Sequence, residues 1–210
     1  MTFSFLKFQA AVQRNWGPRI VLRPLLVADC WPYMETMQHP DIAVAMLKPW
    51  PATIDEFVEN RRPELEYVQN EKGCALSIVL RDTGQWVGSC KLLQPVDRPD
   101  TSWLERGLIL APAFWGVGLG VEAYSLMHQA LFTFDDVRGT RGYSRDSNAR
   151  VKAMLAKAGC EFEGVVPYPR SPDFLLEQWS YSREAHARAT AAGRIRVNPL
   201  KEVDSHGLGQ

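Results

Sequence analysis

The sequence predicts one α/β domain in which helices cover a mixed β-sheet. Its 210 residues are 46% hydrophobic and 23% charged, which suits one domain of ordinary size with a substantial core. Along the chain, runs typical of strands alternate with segments whose apolar residues recur every three or four positions. The resulting order is strand, helices, several strands, helix, strand, helix, strand, and we expect the chemistry where strands end.

The first elements are one short strand and two helical segments. Residues 20–24 form a β-rich run stopped by a proline, and residues 25–37 carry apolar side chains at irregular helical spacing. Thr53 begins a Thr-x-x-Glu capping box. The helix that it opens is expected to continue to about Asn70, with a bend or break at Pro63.

The middle of the chain predicts a hairpin, a strand and a long helix. Residues 74–80 and 85–93 are β-rich and are joined at 81–84 by Asp and Gly residues that suit a tight reversal. A further strand is expected at 103–110. Residues 121–134 then show the apolar stripe of a helix that faces a core.

The last predicted elements surround a compact helix. A strand at about 140–145 precedes it, Asn148 is its predicted N-cap, and Gly159 stands where a left-handed C-terminal stop is expected. We predict one final strand at 174–181. Residues 184–210 are expected to form a helical and flexible tail.

These elements predict an N-terminal extension at 1–18, a domain at 19–183 and the tail. Residues 1–8 are apolar, but polar residues follow before a signal-peptide core or a membrane span is complete. We therefore expect a short helix packed on the surface there, and no association with a membrane.

Charge and cysteine usage narrow the function classes. Lys plus Arg and Asp plus Glu each number 24, so no net charge favours binding to nucleic acid. The cysteines lack CxxC spacing, which predicts reduced thiols in a cytoplasmic protein. The histidines are scattered singly, and we expect no metal site. These residues are Cys30, Cys74, Cys90, Cys160, His39, His128, His186 and His206.

The strongest motif consists of three alternating glycines, Gly116, Gly118 and Gly120, between a strand and an amphipathic helix. Glycines there let backbone N–H groups converge on an anion, and a helix N-terminus adds partial positive charge, so a pyrophosphate fits. A glycine-softened turn is the alternative. A Walker loop is excluded because no Gly-Lys-Ser/Thr follows, and a dinucleotide fingerprint is excluded because several strands come first.

Two segments resemble the GNAT acetyltransferases. Residues 108–122 are similar to motif A, written Q/R-x-x-G-x-G/A, with Trp115 in the Q/R position. Residues 148–160 resemble the Asn-led helix of the branch that includes the ribosomal-protein-alanine acetyltransferases, and 48–51 resembles its Pro-Trp loop. Two motifs in the right order are more specific than one. The resemblance covers roughly 19–183.

The resemblance implies a GNAT fold that is splayed between the fourth and fifth strands, with acetyl-CoA lying across the gap. Backbone groups of Leu108 and Leu110 are then candidates for binding the pantetheine arm and the acetyl carbonyl, and Asn148 for steadying the arm. Because Val117 replaces the usual basic residue, pyrophosphate binding should depend on backbone donors. The segment assigned to the cofactor is Trp115, Gly116, Val117, Gly118, Leu119 and Gly120.

Transfer needs a neutral amine and a proton acceptor. Glu105 is the candidate base, and the equally weighted alternative is that it pairs with Arg106 or another basic residue on an exposed sheet face. Ser144 is the candidate proton donor to CoA, with Tyr143 and Ser147 as alternatives.

The general acid is otherwise unassigned, because the positions that carry Ser and Tyr in the resembling enzymes hold Val151 and Leu155 here. Cys160 as an acetyl-carrying nucleophile is a weaker alternative, since no histidine partner is recognisable.

The predicted function is transfer of an acetyl group from acetyl-CoA to a primary amine of a protein or peptide, including an N-terminal α-amine. A small-molecule amine such as an antibiotic or metabolite is the runner-up, and a CoA-binding protein without turnover is the other alternative. Proline-rich loops at 39–51, 95–99 and 167–172 are expected to wall the acceptor side. The protein is expected to be a monomer or homodimer.

Overall fold

The computed structural model describes residues 2–43, 51–96 and 102–195. A seven-stranded sheet has the order β1-β2-β3-β4-β5-β7-β6, in which β4 and β5 are parallel and the other neighbours are antiparallel. This mixed sheet confirms the predicted fold class. The strands are β1 Ile20–Pro24, β2 Gly73–Leu80, β3 Trp86–Leu93, β4 Trp103–Leu110, β5 Gly139–Ser144, β6 Glu161–Tyr168 and β7 Ser171–Ser182.

Helices cover both faces of the sheet. Alternate residues of β2 point to opposite sides, so that Leu76 and Ile78 join the core under α1 and α5 while Ala75 and Val79 pack with α2 and α4. The helices are α1 Phe5–Gln13, α2 Cys30–Gln38, α3 Pro40–Ala43, α4 Ile54–Leu65, α5 Leu119–Leu131, α6 Ala149–Ala158 and α7 Arg183–Ala191.

The sheet opens between β4 and β5. Only three residue pairs join these strands, from Trp103 opposite Gly139 to Glu105 opposite Arg141. Beyond Glu105, β4 keeps its pairing with β3, and β5 pairs with β7 as far as Ser144. The splay predicted from the GNAT resemblance is therefore present, and it widens toward the C-terminal ends of both strands.

The prediction of one final strand was wrong, because β6 and β7 form a long hairpin at the edge of the sheet. Pro167 lies inside β6 and Pro172 inside β7, where a loop was predicted. An edge strand tolerates proline, which lacks a backbone N–H. Phe162 and Val165 are exposed on β6, so this strand lacks the continuous buried run that predicted the others.

Two further expectations differ from the structure. Thr53 does accept a hydrogen bond from the Glu56 N–H, but α4 ends at Leu65, soon after Pro63, rather than near Asn70. The N-terminal helix contributes Phe5 and Phe8 to the main core, where both are buried, instead of lying on the surface. The division at 1–18, 19–183 and 184–210 stays a prediction, and the residues after 195 lie outside the described chain.

Candidate active site

The glycine segment forms a left-handed turn at the start of α5. Gly116 has φ +78° and Gly118 has φ +86°, a region that only glycine adopts readily. Gly118 is the N-cap of α5. The N–H groups of a helix's first turn lack intrahelical acceptors, so this turn directs backbone donors and the positive end of a helix dipole toward one region.

Gly120 differs from the other two glycines. It lies buried in the first turn of α5, and a Cβ built there would be 2.9 Å from Met154 Sδ on α6. Its small size therefore serves the close approach of α5 to α6. Leu119 beside it is buried in the main core.

A basic residue that the sequence motifs did not predict lies beside this turn. Arg19, just before β1, donates to the Val117 carbonyl at 2.7 Å and to Glu122 at 2.8 Å. It lies 3.5 Å from the Cβ position of Gly118. Because Arg19 binds Glu122, the only acidic side chain in the first turn of α5 is neutralised. No local signal links Arg19 to the motif, since some hundred residues separate them in sequence.

The backbone of β4 faces the gap at alternate residues. The Ala111 N–H donates to the Val87 carbonyl at 2.9 Å, so Ala111 is directed toward β3. In an antiparallel ladder every second residue faces the same neighbour, and Leu108 and Leu110 therefore direct their backbone groups away from β3 toward the opening. The Leu110 carbonyl accepts from Trp115 Nε1 at 2.8 Å, which leaves the Leu108 groups and the Leu110 N–H facing the gap.

Trp115 connects this edge with α6. Besides binding the Leu110 carbonyl, its ring lies under the guanidinium of Arg150, which is 4.3 Å from the ring centroid. Arg150 also pairs with Asp41 at 3.5 Å. Trp115 thus positions a cation near the glycine turn, although its own side chain carries no charge.

Asn148 caps α6 at the other side of the gap. Its Oδ1 atom accepts from the Val151 N–H at 3.2 Å. This confirms the predicted cap, and Gly159 ends the same helix at φ +90°. The side-chain NH₂ group of Asn148 has no partner within residues 2–43, 51–96 and 102–195, so it is available as a donor.

A cleft of about 240 Å³ opens on the sheet face covered by α2 and α4. Its walls come from both helices, from β3, β4 and β5, and from the β6–β7 hairpin. The polar side chains around it include Arg61, Lys91, Glu105, Tyr143, Ser144 and Tyr168. Proline-rich loops were predicted to wall this side of the site. From the loop at 167–172, Tyr168 lines the cleft and Arg170 binds Glu105. Residues 44–50 and 97–101 of the other two loops lie outside the described residues.

Glu105 lies in this cleft and is 8% exposed. Arg170 Nε donates to its carboxylate at 2.8 Å and the Tyr168 hydroxyl donates at 3.1 Å. Arg170 also donates to the Gln94 carbonyl at 2.9 Å, which ties the hairpin turn to the end of β3. The partner of Glu105 is therefore Arg170 and not Arg106, and the Glu105 carboxylate is buried rather than on an exposed face.

A cluster of paired charged side chains borders the cleft. Glu64 of α4 binds Lys91 at 2.9 Å and Arg61 at 2.7 Å. Burial raises the pKa of Glu64, but the two cations outweigh this and hold the pKa below its ordinary value. Burial lowers the pKa of Lys91, but Glu64 raises it above its ordinary value. Both groups are therefore charged at neutral pH.

The candidate proton donors occupy different environments. Ser144 Oγ is buried at the end of β5, borders the cleft, and has no hydrogen-bond partner in the described part of the chain. Tyr143 also borders the cleft, with its ring centroid 5.1 Å from that of Tyr168. Ser147 is exposed. Ser144 is therefore buried beside the cleft with a hydroxyl group that can still donate a hydrogen bond. Its role as proton donor to CoA stays a prediction.

Leu155 and Cys160 belong to an aromatic cluster on the other sheet face. Leu155 packs with Tyr124 and Tyr181, and the Tyr124 hydroxyl lies 3.1 Å from Cys160 Sγ. Burial raises the pKa of the Cys160 thiol despite a nearby arginine. This shift opposes the thiolate that a nucleophilic role would need.

Among the residues that the structure describes, no group of three or more His, Cys, Asp or Glu side chains is arranged to hold a metal ion. Within the same residues, no helix has both the length and the apolar character needed to cross a membrane.

A mixed sheet splayed beside a glycine turn, with a polar cleft on one face, is the architecture of an α/β enzyme. The acetyltransferase (GNAT) domain matches residues 19–161. The chain belongs to this family, and it is an N-acetyltransferase that uses acetyl-CoA. Comparison with curated protein sequences gave no match.

Similar solved structures share the fold at low identity. Aminoglycoside acetyltransferase AAC(6')-Ib in complex with coenzyme A has 20% identity and a TM-score of 0.68, covering 80% of this chain and 98% of that one. Mycobacterium smegmatis RimJ in complex with CoA-disulfide has 16% identity and a TM-score of 0.69, covering 88% and 97%. Vibrio cholerae spermidine N-acetyltransferase with CoA and spermine has 13% identity and a TM-score of 0.66, covering 81% and 99%.

Proposed function

We propose that the protein acetylates a primary amine of a protein or peptide, including an N-terminal α-amine. The observation that carries this proposal is the charge of the cleft. Its lining includes the cations Arg61, Lys91 and Arg145, and the carboxylates described beside it are already bound, Glu105 by Arg170 and Glu64 by Lys91 and Arg61.

This balance disfavours an acceptor with several positive charges. A polyamine or an aminoglycoside would bring its ammonium groups to a cleft where the described cations Arg61, Lys91, Arg145 and Arg170 outnumber the carboxylates Glu64 and Glu105. Like charges in a partly enclosed cleft repel each other strongly. A peptide brings one amine and several carbonyl groups, which are acceptors for Arg, Lys and Tyr donors. The cleft therefore suits the peptide better.

The donor is proposed to lie in the gap between β4 and β5. The turn at Gly116 and Gly118, with Arg19 beside it, suits the pyrophosphate. The backbone groups of Leu108 and the Leu110 N–H suit the pantetheine amides and the thioester carbonyl, and the Asn148 amide suits the arm from the opposite side. This arrangement positions the thioester next to the cleft, where proximity itself speeds transfer.

The chemistry needs one base and one proton donor. The neutral amine attacks the thioester carbonyl carbon, the new C–N bond forms, and Glu105 accepts the released proton directly or through water. The C–S bond then breaks, and Ser144 donates a hydrogen bond or proton to the departing thiolate. Glu105 must loosen its contact with Arg170 to act, which the approach of the acceptor can provide.

The structural relatives leave the acceptor class open by themselves. RimJ, a ribosomal-protein acetyltransferase, agrees with the peptide proposal. AAC(6')-Ib and the spermidine enzyme represent small-molecule acceptors. The small-molecule alternative remains the second candidate function, and the cationic lining argues against its polycationic forms. Turnover would exclude the third candidate, a protein that only binds CoA.

We infer a cytoplasmic location from the cysteines, and we expect a monomer or homodimer. Cys30, Cys74, Cys90 and Cys160 are all free thiols, and burial raises the pKa of Cys74 to about 12. Unpaired cysteines suit a reducing compartment.

An acceptor panel tests the proposal, with CoA release followed by a thiol reagent. We expect transfer to peptides with a free N-terminus, little transfer to N-terminally blocked peptides, and little transfer to spermidine or kanamycin. Arg145→Glu should raise the relative rate with spermidine, because it replaces a cation of the cleft by an anion. Arg188→Glu, on the outer surface of α7, serves as the matched charge control. A preference for spermidine or kanamycin by the unaltered protein would overturn the peptide assignment.

A further inference from the structure

Arg106 stands where the two strands separate. It follows Glu105, the last β4 residue paired with β5, and its side chain points to the opposite face from Glu105. A Cβ on Gly142 of β5 would lie 2.2 Å from Arg106 Nη1. The absence of a side chain at Gly142 therefore makes room for the guanidinium at the fork of the splayed sheet.

The contacts of Arg106 hold the guanidinium but do not neutralise it. It lies 4.9 Å from the centroid of the Tyr124 ring, and Nη2 donates to the Trp179 carbonyl at 3.2 Å and to Cys160 Sγ at 3.7 Å. Nε is buried and has no hydrogen-bond partner among the described residues, in which Arg106 also forms no ion pair. A partly buried cation without a carboxylate partner is unfavourable.

The same residue borders the cleft. Arg106 lines it together with Gly107, Leu108 and Ser144. If the donor lies in the gap as proposed above, the thioester carbonyl faces the backbone of Leu108, two residues from Arg106. The acyl chain then extends toward the fork, where the guanidinium lies beside Gly142.

We propose that Arg106 binds a terminal carboxylate on the acyl chain, so that the enzyme also uses a dicarboxylic acyl-CoA such as succinyl-CoA. The inference rests on the proposed position of the donor. The carboxylate supplies the counter-ion that Arg106 lacks, in a charge-assisted hydrogen bond that uses the fork geometry of a guanidinium.

The reaction stays an acyl transfer. The amine nitrogen forms a bond to the thioester carbonyl carbon, and the carbon–sulfur bond breaks. CoA leaves as the thiolate and gains a proton, the amine loses one to the base, and no electron donor or acceptor is needed. The product is an amide that carries a free carboxylate.

The experiment compares acetyl-, butyryl- and succinyl-CoA with the full-length protein and one peptide acceptor. Butyryl has the same chain length before the terminal group as succinyl but no charge, so it is the matched control ligand. Donor affinity by titration calorimetry and kcat/KM are both measured. We expect succinyl-CoA to exceed butyryl-CoA in affinity by about tenfold to a hundredfold, the range of a hydrogen bond to a charged group.

Arg106→Gln should remove that preference while acetyl transfer stays within a few-fold, and Arg106→Lys should keep part of it. Arg141→Gln is the control, since this arginine of β5 stacks on Trp103 instead of facing the fork. Gly142→Ala is a second route, because its methyl group would displace the guanidinium without removing it.

The possible outcomes distinguish a failure of the role proposed for Arg106 from a failure of the proposed function. Equal preference for succinyl-CoA in the unaltered protein and in Arg106→Gln would overturn the role of Arg106. Weaker binding of succinyl-CoA than butyryl-CoA by the unaltered protein would overturn it too, as would an equal loss of acetyl and succinyl transfer in the variant. If succinyl-CoA binds with the expected preference but no donor gives turnover, the proposed function fails while the acyl-binding role stands.

Discussion

The two sides of the splayed sheet are built in different ways. The proposed donor side would use backbone groups from one continuous stretch, in which β4, the glycine turn and α5 follow each other along the chain. The acceptor cleft uses side chains from α2, α4, β3, β4 and the β6–β7 hairpin. On this proposal the donor side shares binding among many weak contacts, whereas the acceptor side depends on a few charged groups. Single substitutions should accordingly have larger effects in the cleft.

Glu105→Gln should have the largest effect. Gln keeps the shape of the side chain but cannot take the proton, and general-base catalysis typically contributes about a hundredfold to ten-thousandfold. We expect the turnover number to fall by that range while acetyl-CoA affinity stays within a few-fold. Steady-state kinetics with a saturating amine measures the first, and calorimetry measures the second.

The control for this variant is Glu163→Gln, which removes another carboxylate that is paired with an arginine, here Arg141. If Glu105 were only an ion-pair partner of Arg170, its substitution would lower stability but leave turnover unchanged. Near-normal turnover would thus defeat the base assignment without affecting the acetyltransferase assignment, because positioning alone can carry transfer.

Substitution of Glu64 tests whether the stability of the structure around the cleft also depends on a single charged group. Glu64→Gln removes one partner of a buried ion pair and leaves Lys91 without its carboxylate, which should lower the free energy of unfolding by about 3–5 kcal/mol. Because the folded-state pKa of Glu64 lies below its ordinary value, the folded state holds fewer protons. Its stabilisation is therefore present above about pH 4.3 and is lost as the pH falls below that.

Denaturant unfolding between neutral and acid pH measures this effect. The unaltered protein should lose stability toward acid with a steeper slope than Glu64→Gln. Glu59→Gln, which removes an exposed carboxylate of the same helix, should leave both the stability and the slope almost unchanged. Matching slopes in the two variants would mean that the carboxylate of Glu64 does not couple folding to acid pH.

The same difference explains how much the sequence could predict. The strand at Trp103–Leu110, the cap at Asn148 and the left-handed glycines follow from local rules about proline stops, caps and positive φ. Arg170 and Tyr168 are more than sixty residues from Glu105, and no spacing rule connects them. The contact of Arg19 with the glycine turn could not be predicted for the same reason. The edge strand β6 was missed because exposed apolar residues and a proline resemble a loop.

Gly118→Val should have a smaller effect, on the donor side. Valine resists the left-handed conformation that Gly118 adopts at φ +86°, and the shifted turn should weaken CoA binding by about tenfold to a hundredfold, given a strain of about 1–3 kcal/mol. Calorimetry with CoA measures it. Gly84→Val is the matched control, because Gly84 has φ +70° in the hairpin turn with open space around it. Undiminished CoA affinity in a folded Gly118→Val would remove the turn from the donor site.

Asn148→Ala should have the smallest effect, and it separates a cap from a ligand contact. Loss of the N-cap of α6 should cost about 1 kcal/mol of stability, because the Val151 N–H loses its acceptor. Ser182→Ala removes an equivalent cap, the hydroxyl that accepts from the Ala185 N–H at the start of α7. Both variants should show a similar modest fall in melting temperature.

Only Asn148→Ala should also raise the KM for acetyl-CoA, since only Asn148 is proposed to contact the pantetheine arm. We expect this rise to be a few-fold, because the pantetheine arm keeps its contacts to the backbone of β4. A fall in melting temperature with an unchanged KM would keep the cap and discard the contact. It would also sharpen the contrast between the two sides, since the donor would then depend on backbone groups of β4 and the glycine turn without a side chain from α6.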